Sequence, residues 1–250
     1  MNNLTIQLVY HFLLSLSLGT ALFGWIASPK LTGAGFIRLI TGHAAIFLGL
    51  AVAVDLAFNL TQDLMIQVPL LVLFIISWRY HPDERPWWTW LLYTLQSILT
   101  FVLVYRFNSS FVFLFSSLLF LGITHYSMLL GHYYLVVPKL TEKPLLVCLQ
   151  IFWGIFLVKF VWSSIALSGA TEYLVEGSML GEGFLFNWIL VSMRALWGYG
   201  AMLVLSYFAW RLCRMRSIQS ATGVLYIMVF FVFVGELISS YIYLKLGLCI

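Results

Sequence analysis

Residues 111–137 read FVFLFSSLLFLGITHYSMLLGHYYLVV. No Asp, Glu, Lys or Arg interrupts this run, and it exceeds the roughly 20 residues a helix needs to cross a bilayer. Its apolar residues are continuous rather than alternating, which predicts a helix and not a barrel strand. Two imidazoles, His125 and His132, nonetheless sit inside it. The apolar run decides the fold class, and the histidines raise the question of function.

The rest of the chain repeats the pattern. It is 62% hydrophobic and only 9% charged, with a mean hydropathy of +1.00. A soluble domain carries about a quarter charged residues. The chain is therefore expected to be an all-α integral membrane protein in contact with the lipid bilayer. Eight apolar segments can be drawn, at 4–27, 35–58, 64–78, 87–106, 111–137, 144–168, 184–210 and 220–246. The third is the shortest. Connections are short and no linker or repeat stands out, so residues 1–250 are read as a single transmembrane bundle of about eight helices. The N-terminus lacks a basic leader and reads as a retained first span. Cys148, Cys213 and Cys249 have no paired spacing, so no disulfide framework is expected.

The net charge of +4 would suggest nucleic acid for a soluble protein. Here it is assigned to loops, and no nucleic-acid partner is expected. Alternate loops hold Lys30, Arg38, Arg79, Arg85, Lys139, Lys143, Arg211, Arg214 and Arg216. The opposite side holds Arg106 and Lys245, with the acidic Glu172, Glu176 and Glu182. The positive-inside rule then places both termini on the extracytoplasmic side, in what we read as a bacterial inner membrane. His81 falls in a basic turn and is expected to be solvated.

Four histidines lie at membrane depth: His11, His43, His125 and His132. A single buried imidazole is commonly only a helix–helix hydrogen bond. Four together point towards iron, because neutral imidazole is a good haem ligand. His125 and His132 are seven residues apart and share a helix face, about 10 Å apart along the axis. Depth reckoned from the loops sets His43 near His132, and His11 nearest to His125. Two b-type haems are the first expectation. One haem, held by His125 with His43 or His11, is the second, and a copper or non-haem iron site the third. Gly42, Gly122 and Gly131 beside these histidines would admit a porphyrin or bring helices close together. The pattern is similar, as a class, to membrane-anchor cytochromes b, but no motif carries residues across.

Asp55, Lys159, Arg194 and Glu236 also lie within apolar spans, where charges should face inward and pair. Glu236 with Lys159 or Arg194 is the expected pair. Functionally, Lys159 and Arg194 would hold haem propionates or a quinone, and Asp55 or Glu236 would carry protons. Ser220 or Thr222 is expected to cap the last helix.

No P-loop, G-x-G-x-x-G or C-x-x-C-H occurs. These features together predict an electron-transfer subunit of a respiratory redox complex. It would bind haem b, exchange electrons with membrane quinone, and contact other subunits, among them an extracytoplasmic cytochrome. Two alternatives remain: a transporter or channel subunit with a buried charge path, and a scaffold without chemistry.

Overall fold

A computed structural model describes residues 3–27, 32–60, 63–81, 86–106, 111–137, 141–181 and 183–250. Lys30, Arg85, Lys139 and Glu182, used above to orient the chain, lie outside the described residues. The described chain is helical throughout. Its helices are α1 (Asn3–Leu22), α2 (Ala34–Phe58), α3 (Leu64–Tyr80), α4 (Trp87–Arg106), α5 (Phe111–Val136), α6 (Lys143–Ser168), α7 (Phe184–Arg214) and α8 (Ile218–Leu246). Seven of them are long and apolar enough to cross a membrane, and α3, at 17 residues, is shorter.

These segments are helical because a lipid-facing backbone can close its hydrogen bonds only within itself. Their outward faces confirm the solvent they suit. Leu157, Val158, Val161, Trp162 and Ile165 form an exposed apolar strip along α6, with Val158 71% exposed. A water-soluble monomer rarely shows so continuous a patch. The architecture is a membrane-type helical bundle in which apolar side chains cover both the core and the rim.

The centre of the bundle is α5, the most buried of the long helices. It packs on α1, α6 and α8, and only sparsely on α2 and α4. The α1–α5 crossing is made by glycines. A Cβ on Gly122 would strike the backbone of Gly19, and one on Gly19 would strike the carbonyl of Leu118. Gly131 meets Thr222 and Leu225 of α8, and Gly42 meets Trp78 of α3. All three glycines beside the histidines thus serve helix packing, the bland reading of the two offered by the sequence.

Two expectations change at the helix ends. His81 is buried, not solvated, because its carbonyl accepts from Nε and Nη2 of Arg38 at 3.1 and 2.7 Å and its ring lies beside Tyr93. Neither Ser220 nor Thr222 caps α8. The Thr222 hydroxyl donates back to the Ile218 carbonyl at 2.9 Å, and Ser217 precedes the helix with no side-chain cap bond. A hydroxyl inside an apolar helix finds the carbonyl four residues earlier more readily than a distant N–H.

Candidate functional site

Two buried polar centres meet α5. The first joins α2 to α5. His43 and His125 face each other with ring centroids 5.7 Å apart and planes inclined by 59°. The Nδ1 of His43 lies 2.8 Å from the carbonyl of Leu39, one turn back on its own helix. A carbonyl can only accept, so Nδ1 carries a proton. His125 is 4% exposed, and neither of its ring nitrogens has a hydrogen-bond partner. Phe47 and Phe233 pack on its ring at 5.6 and 6.3 Å. A buried polar side chain with both nitrogens open is costly unless something binds it.

The other intramembrane histidines go elsewhere. The Nδ1 of His132 pairs with the hydroxyl of Tyr226 on α8 at 2.7 Å. His11 packs edge-on against Tyr10. The level reckoned from loop positions, which set His43 beside His132, is corrected. His43 lies nine residues from the N-terminal end of α2 and His125 eleven from the C-terminal end of α5, about 14 and 16 Å along the helix axes. His132 is only four residues, about 6 Å, from that end.

Two facing imidazoles, one with its tautomer fixed by a backbone carbonyl and one with open nitrogens, are donors of the type that would hold a haem iron. No group of three or more His, Cys, Asp or Glu side chains gathers as a metal site among the described residues.

The second centre joins α5, α6, α7 and α8. Glu236 lies between two cations: Lys159 Nζ is 2.7 Å from Oε2 and Arg194 Nη2 is 3.0 Å from Oε1. All three side chains are almost fully buried. Lys159 also donates to Ser117 Oγ at 2.9 Å. Arg194 Nη2 donates to Tyr199 Oη at 2.9 Å, and Tyr199 Oη lies 2.5 Å from Ser163 Oγ. The sequence expected Glu236 to pair with one cation, and it holds both. Lys159 and Arg194 each pair with a carboxylate of the chain itself.

The local backbone explains how Arg194 and Tyr199 meet. Residues Arg194–Ala201, RALWGYGA, form a π-helical stretch inside α7. In a regular α-helix, residues five apart diverge around the axis. The wider π turn aligns them, so the guanidinium lies 4.4 Å above the Tyr199 ring. Gly198 and Gly235 make room for it: a Cβ on Gly198 would come within 2.8 Å of Arg194 Nη1, and one on Gly235 within 2.7 Å of Gly198 Cα. The two glycines of RALWGYGA are weak helix formers, the one sequence signal for this irregularity.

Asp55 belongs to a third group. It accepts a hydrogen bond from Gln67 Nε2 at 2.7 Å, and the same amide donates to Tyr10 Oη at 2.8 Å, tying α2, α3 and α1. Sequence reading had missed Gln67, whose amide in an apolar run was the available signal.

Comparison with protein-family models, with curated proteins and with solved structures gave no match to this chain.

Proposed function

We propose that the chain is a membrane-integral electron-transfer subunit that binds one b-type haem between α2 and α5, with His43 and His125 as the iron ligands. The observation that carries this reading is His125, buried with two open nitrogens and facing an imidazole whose tautomer is fixed by a backbone carbonyl. A bound haem supplies one-electron redox chemistry. The chain's own residues hold the ligand rings and keep water away: the Leu39 carbonyl orients His43, and Phe47 and Phe233 enclose His125.

In this proposal all eight helices span the membrane, with both termini outside and the basic loops in the cytoplasm of a bacterial cell. Membrane quinone is the electron partner. An apolar groove of about 310 Å³ between α5 and α6, lined by Phe115, Leu119, Ile155 and Val158, ends at Lys159 and suits its head group. Glu236, bonded to Lys159, is the nearest carboxylate for the quinol's protons. An extracytoplasmic redox protein takes up the electrons.

The test is haem content and a reduced-minus-oxidised spectrum of the purified protein. About one haem per chain is expected, lost in both His43→Ala and His125→Ala and retained in His132→Ala. Protein isolated from haem-replete cells with no b-type absorption would overturn the proposal. A second reading, a transport subunit, is favoured by the buried Lys159–Glu236–Arg194 centre and its π-helical stretch. Solute or proton flux in cofactor-free proteoliposomes would select it.

A further inference from the structure

Helix α7 runs out in RLCRMR, residues 211–216, and its three arginines differ in their partners. Arg216 pairs with Glu142 at 3.2 Å. Arg211 and Arg214 are exposed, and among the described residues neither donates a side-chain hydrogen bond nor lies within 4.0 Å of a carboxylate. The helix end does not need them. The carbonyls of Arg211, Leu212 and Cys213 already accept from the N–H groups of Met215, Ser217 and Arg216 at 3.1, 3.0 and 3.0 Å. Three residues apart, the two side chains are neighbours on the helix surface, where like charges repel.

The surface beside them is aromatic and apolar. Arg214 stacks on Trp210, its guanidinium carbon 4.9 Å from the ring centroid. Trp210 packs on Trp153 of α6 with centroids 5.5 Å apart, and the Trp153 indole N–H donates to Ser206 Oγ at 3.0 Å. A guanidinium stacked by its face keeps its in-plane N–H groups open, the geometry that takes a phosphate by two bonds at once. Further back along α7, Leu203, Val204, Tyr207 and Phe208 are about half exposed. In a membrane helix that strip faces acyl chains. Arg211 follows Tyr207 by four residues and Phe208 by three, so it continues the same face. The change from apolar to cationic falls where a lipid changes from chain to headgroup.

We infer that the C-terminal end of α7 holds an anionic phospholipid, its phosphate between Arg211 and Arg214 and its acyl chains along Leu203, Val204, Tyr207 and Phe208. Charge complementarity selects the headgroup. A phosphate diester without a cation of its own offsets the repulsion between the two guanidiniums, whereas the ammonium of a zwitterionic lipid competes with them. The apolar strip selects a lipid over a free anion. The inference does not rest on haem binding.

The test uses the purified full-length protein in neutral detergent. Phosphatidylglycerol or phosphatidylcholine with the same acyl chains is added, and the first lipid bound is measured by native mass spectrometry. A preference of about tenfold for phosphatidylglycerol is expected, the worth of one charge-assisted contact. Arg214→Gln should abolish it. Arg79→Gln, an equal loss of charge at an exposed arginine near the end of α3, should leave it intact. Equal binding of the two lipids overturns the inference. So does a preference that survives Arg214→Gln or disappears equally in Arg79→Gln. Displacement of the lipid by inorganic phosphate would mark a site for the free anion and would overturn it as well.

Discussion

Helix α5 serves two buried polar centres that differ in how their hydrogen bonds are closed. In the ion network, four helices converge on a single carboxylate, and Lys159, Arg194, Tyr199, Ser163 and Ser117 are linked through it. In the histidine pair, one imidazole bonds to its own backbone and the other has aromatic rings beside it and no hydrogen-bond partner. The first arrangement holds helices together. The second contributes little to holding them and leaves atoms available. Buried polarity in this bundle therefore has two meanings, and the difference lies in which partners are already present.

Substitution should expose that difference. Glu236→Ala strands two buried cations, and a loss of about 3–5 kcal/mol is expected from thermal unfolding in detergent. Gly235→Ala brings a methyl against Gly198 and Arg194, and overpacking should cost about 1–3 kcal/mol by the same measurement. His125→Phe removes two unsatisfied nitrogens and keeps a ring, so the apoprotein should change by less than about 1 kcal/mol while haem binding is lost. A large destabilisation by His125→Phe would break the contrast, and retained haem would break the proposed ligand set.

The smallest effect is outside the membrane. Glu142, before α6, pairs with the exposed Arg216 at 3.2 Å. Its own backbone N–H and then the Arg216 charge hold its carboxyl below the usual carboxylate range. A lowered folded pKa means that any stabilisation is present above the ordinary carboxylate pKa and fades as acid titrates the carboxyl through its lowered value. Unfolding midpoints of wild type and Glu142→Gln should converge on acidification, from a gap small even at neutral pH.

The helices were legible because lipid imposes one rule on long apolar runs, and the segments drawn from the sequence overlap helices of the described residues, seven of them long and apolar enough to cross a membrane. The pairing of Glu236 was legible because so few charges were available to meet at depth. The His43–His125 contact was obscured by counting depth from loops, whereas helix ends set the level. The meeting of Arg194 with Tyr199 was hidden because it depends on a π turn, and no regular periodicity encodes one. Gln67 went unnoticed because a neutral amide carries no charge to draw the eye.

The π-helical stretch has a consequence for the length of α7. A π turn accommodates an inserted residue by widening the helix locally, so the flanks on either side keep their faces. Removing Leu196, whose side chain is largely exposed, would let the coil tighten to ordinary pitch with Asn187 above and Ala209 below still turned inward. A one-residue deletion that would scramble any other span of this bundle is thus absorbed here, and it leaves guanidinium and phenol four residues apart, neighbours on an ordinary turn.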